Sequence, residues 1–250
     1  MKNFLFLIMT INLLHVDAAI GKHEIISQEF LIALRMNDLE KAHMLNEKIK
    51  VFNQDSLAAE LNTDERKKAF WVNCYNAYII YTLKNDSTLF ENRGAFFTNK
   101  RVTIANKLLS FDDIEHGILR RSKNKLSLGY LGKIRVPKFE KKFRVKKVDY
   151  RIHFALNCGA NSCPPVAYYS SANLDKELDS AAYAFLESSS KVDHAKKEAT
   201  ITPLMSWFRA DFGGKKGGKK VLIKYSIITN KKYSVKFGPY DWTLNINNYK

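Results

Sequence analysis

The feature that most constrains this chain is the run Ala69-Phe-Trp-Val-Asn-Cys-Tyr-Asn-Ala-Tyr-Ile-Ile-Tyr81, which is apolar almost all round a helix and not along one stripe only. A surface helix keeps a polar face toward water, so a helix without one must be enclosed by protein on most sides. Asn62, followed three residues later by Glu65, marks its start, because the two side chains can satisfy first-turn amides. The pattern predicts a helix over residues 63–83. Asn73 and Asn76 interrupt the apolar run and, being three apart, share a face. Buried amides need partners, so this pair is expected either to tie down loop backbone or to orient a catalytic group.

The remaining elements follow from periodicity and punctuation. Residues 24–50 read as two short helices broken at Asn37-Asp38, and residues 85–100 as an irregular connection leading to a short strand at 101–104. Ser110, with Asp113 three positions on, caps a further helix that ends near Arg120-Arg121. Residues 122–149 show little periodicity and read as a long loop or hairpin. Residues 150–156 alternate as a strand would, and Gly159 and Pro164-Pro165 stop them. A helix is expected over 174–188, strands at 198–201, 233–237 and 241–245, a short helix after Pro203, and a flexible basic loop at 213–218, with 221–228 as helix or strand. With no internal repeat and no clear boundary, residues 20–250 form one α+β globular domain, several helices packed on a small, mostly antiparallel sheet.

The N-terminus has the three parts of a signal peptide: Lys2, an apolar stretch over 4–14, and the small-residue segment Val16-Asp17-Ala18 before residue 20. The stretch is short for a membrane span. Residues 1–19 are therefore expected to be cleaved, leaving a secreted or periplasmic protein with no transmembrane segment. About 230 residues would remain, enough for a substantial core.

The formal net charge is +16, and its excess is concentrated. Residues 121–150 hold eleven Lys/Arg against Glu140 and Asp149, and Lys215, Lys216, Lys219 and Lys220 form a second cluster. Such surfaces either stay simply solvated or dock an anionic partner such as phospholipid headgroups or acidic glycans. Nucleic acid is disfavoured, since an exported protein rarely meets it and no recognition motif is present.

Chemistry points to Arg151-Ile-His-Phe-Ala-Leu-Asn-Cys-Gly-Ala-Asn-Ser-Cys-Pro-Pro165. Thiolate and imidazole together make a nucleophile near neutral pH. In a cysteine-dependent hydrolase or acyl transferase, Cys158 would attack, His153 would act as base, and Glu115 or Asn73 would orient the imidazole. Glu115 stands on an otherwise apolar face and calls for a partner, with His153 or Arg120 as candidates. The difficulty is geometric: on a regular strand His153 shares a face with Asn157, not with Cys158. Alternatively Cys158 and Cys163 form a disulfide that staples a binding domain, which an oxidising compartment favours. A metal site on Cys158, Cys163 and His153 lacks a fourth ligand, so no metal or cofactor is expected, and the substrate or protein partner is not specified.

Several stretches taken together, Phe70-Trp-x-Asn-x-Tyr-Asn76, Asp113-Ile-Glu-His-Gly-Ile-Leu-Arg120, the His153–Pro165 run, Trp207-x-x-x-Asp-Phe212 and Tyr240-Asp-Trp-x-Leu-Asn245, resemble the domain-of-unknown-function family 547. The resemblance covers most of the mature chain. It implies membership of a family found in exported bacterial proteins and in larger eukaryotic ones, and it carries no settled activity. Cys74 lies outside that signature and is expected to be a small buried residue.

Overall fold

Residues 20–249 are described by a computed structural model of the chain; the expected signal peptide at 1–19 lies outside the described residues. Helices α1 (Lys22–Arg35) and α2 (Leu39–Lys50) open the domain. They break where expected: Asn37 is left-handed, with φ 57°, and the Asp38 side chain accepts from the Lys41 amide at 3.0 Å. After α3 (Gln54–Glu60) comes α4 (Asp64–Asn85), the helix predicted from the apolar run. It starts one residue later than expected because Thr63, not Asn62, takes the cap and accepts from the Arg66 amide at 3.3 Å.

Every α4 residue from 67 to 80 is buried, and α1 packs along it. The two interrupting amides reach out to loops. Asn73 donates to the Tyr169 carbonyl at 2.8 Å and accepts from the Tyr169 amide at 2.9 Å. Asn76 does the same one turn on, donating to the Ala155 carbonyl and accepting from the Asn157 amide, both at 2.9 Å.

Beyond α5 (Arg93–Thr98), strands β1 (Val102–Ile104) and β2 (Lys107–Leu109) form an antiparallel pair. Their turn, Ala105-Asn106, has both residues left-handed, as the twist of a two-residue hairpin requires. Ser110 and Asp113 then exchange reciprocal bonds at 3.0 Å, the capping arrangement read from sequence. The segment they open, Asp113–Leu119, is wound as a π-helix, so the Arg120 amide bonds five residues back to the Glu115 carbonyl at 2.8 Å. Such overwide turns are rare and frequent at functional sites.

The basic excursion carries the short helix α6 (Lys138–Phe143). Helix α7 (Leu174–Ser189) is close to its predicted span and buries Leu174, Leu178, Ala182, Phe185 and Leu186. Strands β3 (Lys191–Asp193), β4 (Glu198–Ile201) and, after helices α8 (Leu204–Trp207) and α9 (Gly214–Lys224), β5 (Ser234–Phe237) form a sheet of order β3-β4-β5. Its first pair is antiparallel and its second parallel. The whole is a single α+β domain, mostly helical, with two small sheets.

Three expectations fail for physical reasons. Residues Tyr150–Phe154 form a 3-10 turn, not a strand. Asp149 accepts from the Arg151 amide through its side chain and from the Ile152 amide through its carbonyl, and Asn76 takes the backbone groups that a neighbouring strand would have used. Residues 214–218 belong to α9 and are not a loop. Gly213 turns the chain at φ 76°, and a Cβ on Gly217 would strike the Phe212 carbonyl oxygen, so glycine there permits close packing. Residues 241–245 form no strand. They clamp the cysteine turn through Asn161 N to Thr243 O, Ser162 N to Asp241 O and Asn245 N to Gly159 O, at 2.8, 3.1 and 2.8 Å.

Replacing Asn73 or Asn76 by Ala would leave a buried carbonyl and a buried amide unpaired. Each substitution is expected to lower unfolding free energy by about 2–4 kcal/mol, read by urea denaturation. A loss below about 0.5 kcal/mol would show that these bonds do not hold the loops.

Candidate functional site

A cavity of about 440 Å³ opens where four irregular segments meet: the π-turn 113–119, the 3-10 turn 150–154, the cysteine turn and the stretch after α8. Tyr240 and Trp242 from the C-terminal tail supply part of its wall, against Trp207. Every one of these segments is fixed by a bond to a buried neighbour. The cysteine turn rests on α4 because Gly159, at φ 90°, has no Cβ to strike Leu83, 2.8 Å away from where one would be. Asn157 then pins the turn from inside, accepting from the Gly159 amide and donating to the Pro164 carbonyl, both at 2.8 Å.

Beneath the cavity lies a charged network. Arg120 is fully buried, and its Nε donates to Asp211 Oδ2 while Nη1 donates to His116 Nδ1 at 2.9 Å. His153 donates from Nε2 to the same Asp211 oxygen at 2.9 Å and stacks on Phe208 at 3.8 Å. Burial depresses His153 to about 4 despite Asp211, and burial together with Arg120 holds His116 well below the usual imidazole range. Both rings are therefore neutral at neutral pH, and their partners fix their tautomers. Burial alone would raise the Asp211 carboxyl, but the His153 and Arg120 bonds outweigh it and hold it low.

Glu115 behaves differently. Its side chain is only 15 % exposed, and burial pushes its carboxyl up to about 7, with Arg120 opposing and Asp112 adding to the rise. The Tyr75 hydroxyl donates to Oε2 at 3.2 Å. The partner expected from sequence was His153 or Arg120; Tyr75 takes that place because Arg120 is turned to Asp211. A group titrating near 7 at a cavity wall is suited to give and take protons at neutral pH.

Cys158 and Cys163 are joined in a disulfide, with the Tyr240 hydroxyl 3.5 Å and 3.2 Å from the two sulfurs. Cys158, His153 and Glu115 thus line one cavity, although the sulfur's polar neighbour is Tyr240 and His153 Nε2 faces Asp211. Asn73 is not among the lining residues, since Tyr169 takes its amide. Asp211, His116, Tyr75 and Tyr240 were missed as site residues. Asp211 and Tyr240 stand in stretches that carried the family resemblance, but nothing local marked them as partners of His153 or Cys158. Cys74 is buried and free, as expected. Among the described residues, no three His, Cys, Asp or Glu side chains converge as a metal site requires.

The family model described as a protein of unknown function, DUF547, matches residues 58–186, half of the chain. The chain belongs to the DUF547 family. No curated protein and no solved structure matches it. The DUF547 match takes in Tyr75, Glu115, His116, Arg120, His153 and both bonded cysteines, whereas Trp207, Asp211 and Tyr240 lie beyond its end. In this DUF547 chain, no helix of the described residues is long and apolar enough to cross a membrane.

Because the fold raises the Glu115 pKa, it binds that proton more tightly than the unfolded chain does. The resulting stabilisation is complete below about pH 4.5 and is lost as pH rises through 7. Glu115→Gln is therefore expected to be near neutral at pH 4.5 and to exceed wild type by about 3 kcal/mol at pH 8. Urea midpoints at both pH values check this, and a difference that does not change with pH would remove the tuned carboxyl.

Proposed function

We propose that this protein is an exported hydrolase or acyl transferase working in the aromatic-walled cavity, with Glu115 as its proton carrier. The observation that carries the reading is a carboxyl tuned to about 7 at the edge of a 440 Å³ cavity and oriented by Tyr75. In its ionised form Glu115 would take a proton from a water molecule as that water attacks the substrate's acyl carbon. It would then hand the proton to the leaving group, so that the water's oxygen ends in the acid product and its proton on the departing group. Tyr75 keeps Oε2 in place, and the neutral imidazoles around Arg120 keep a further positive charge from forming beside it. A disulfide at the cavity wall suits an oxidising compartment, which supports the export expected from residues 1–19.

A second reading is favoured by the position of Cys158 on the same wall. If the disulfide is reduced, Cys158 would be a thiol nucleophile and His153, held by Asp211, its base. In the bonded state its sulfur has no free valence for attack, so Glu115 is the centre we place first and the disulfide is the staple of the wall.

The two are separated by screening peptide, ester and amide substrates with wild type, Glu115→Gln and a Cys158→Ser/Cys163→Ser double variant, with and without dithiothreitol. We expect activity without reductant, a fall of at least a hundredfold in Glu115→Gln, retention within tenfold in the double variant, and a limb near pH 7 in the rate profile. Activity that needs reductant and vanishes with Cys158 would overturn the Glu115 assignment in favour of the thiol.

A further inference from the structure

A second hollow, of about 380 Å³, opens beside residues 121–123 and 146–148, with Ala210 and Asp211 on one side. Arg121, Lys123, Lys146 and Lys147 line it. Among the described residues none of these four side chains makes a salt bridge or a hydrogen bond. Four neighbours in the same basic stretch are matched, Lys125 with Asp112, Lys133 with Glu140, Lys142 with Asp55, and Arg144 with the Ser122 hydroxyl, whereas Arg135, Lys138 and Lys141 are exposed to solvent. Arg121, Lys123, Lys146 and Lys147 thus share one hollow without a matching side chain. Four like charges around one hollow repel each other, which is unfavourable unless an anion joins them.

The backbone that holds them is fixed. Asp64 accepts the Lys146 and Lys147 amides at 2.7 and 2.9 Å, so its carboxylate is turned to the chain. The Lys123 amide bonds to the His116 carbonyl at 2.9 Å and the Lys133 amide to the Ser122 carbonyl at 2.7 Å. Arg121 and Ser122 are both left-handed, at φ 52° and 62°. Non-glycine residues adopt this conformation at a cost and keep it where the surroundings impose it. The carboxylate on the wall, Asp211, has Oδ2 engaged by Arg120 and His153, while its Oδ1 is buried without a hydrogen-bond partner.

We propose that this hollow is a binding site for a small soluble ligand bearing a phosphate or diphosphate group. Arg121 offers a planar fork that suits two phosphate oxygens, and the three lysines act as point charges. The volume admits a compact phosphate ester, and none of the four cations lines the Glu115 cavity, although Asp211 is common to this wall and to the Arg120–His153 network.

Inorganic pyrophosphate is the probe, titrated calorimetrically into the protein at two salt concentrations. We expect saturable binding to one site, weaker at higher salt, and weakened at least tenfold in Lys146→Gln/Lys147→Gln. The control Lys215→Gln/Lys216→Gln, in the other basic cluster, is expected to stay within twofold of wild type. Both pairs are replaced outside the core, and circular dichroism with thermal unfolding verifies that each variant is folded. No saturable binding, or equal weakening in the two double variants, would overturn the site in favour of a general basic surface. Retention on phosphatidylglycerol vesicles that pyrophosphate does not compete away would overturn it in favour of membrane docking.

Discussion

A single buried guanidinium organises the site half of this protein. Arg120 is removed from water entirely, and an isolated buried charge costs several kcal/mol unless it is paired and hydrogen-bonded. It finds Asp211, His116 and the face of Phe208, the last at 4.6 Å. Asp211 in turn holds His153. Through these contacts the π-turn, the 3-10 turn and the segment after α8, which lie far apart in sequence, must pack together for any one of them to be satisfied. The positive charge also sets the protonation of its surroundings. It helps keep both histidines neutral and moderates the rise in Glu115 that burial causes.

The network needs a floor, and α4 provides it. An all-round buried helix is usually a core element and nothing more, yet this one directs its few polar groups outward at chosen heights. Asn73 fixes residue 169 and Asn76 fixes residues 155 and 157, on either side of the cysteine turn. Tyr75, between them, meets Glu115. The hydrophobic constraint and the chemical one are therefore imposed by the same helix: the apolar face sets where α4 lies, and Asn73, Tyr75 and Asn76 set where the loops around the cysteine turn and Glu115 can go.

That division explains what could be read in the sequence. Helices α1, α2, α4 and α7 announced themselves because a helical stripe and its caps are local, and so did the Ser110–Asp113 exchange. The turn at 150–154 was mistaken for a strand because alternation over so few residues also fits a 3-10 turn. The choice was made by Asp149 locally and by Asn76 from a distance. The glycine-rich start of α9 was mistaken for a loop because glycine reports freedom, whereas Gly217 answers to the closeness of Phe212. His153, Cys158 and Glu115 were legible as candidates by residue type, and their meeting at one cavity depends on Arg120 and Asp211, a pairing across 91 residues that no local pattern encodes.

The disulfide shows how the wall of the cavity can be rigid without the fold depending on it. Closing a loop as short as the one between Cys158 and Cys163 removes little freedom from the unfolded chain, about 2 kcal/mol on the loop-entropy view. The same turn is held independently by Asn157 from within, by Gly159 against α4, and by the three backbone bonds to residues 241–245. Breaking the bond should leave these in place, so the two sulfurs would part within a turn that keeps its path, still beside the Tyr240 hydroxyl. The covalent link therefore acts on the wall's chemistry more than on the domain's survival, by deciding whether the cavity presents an inert bridge or a thiol beside a carboxyl already tuned to carry protons.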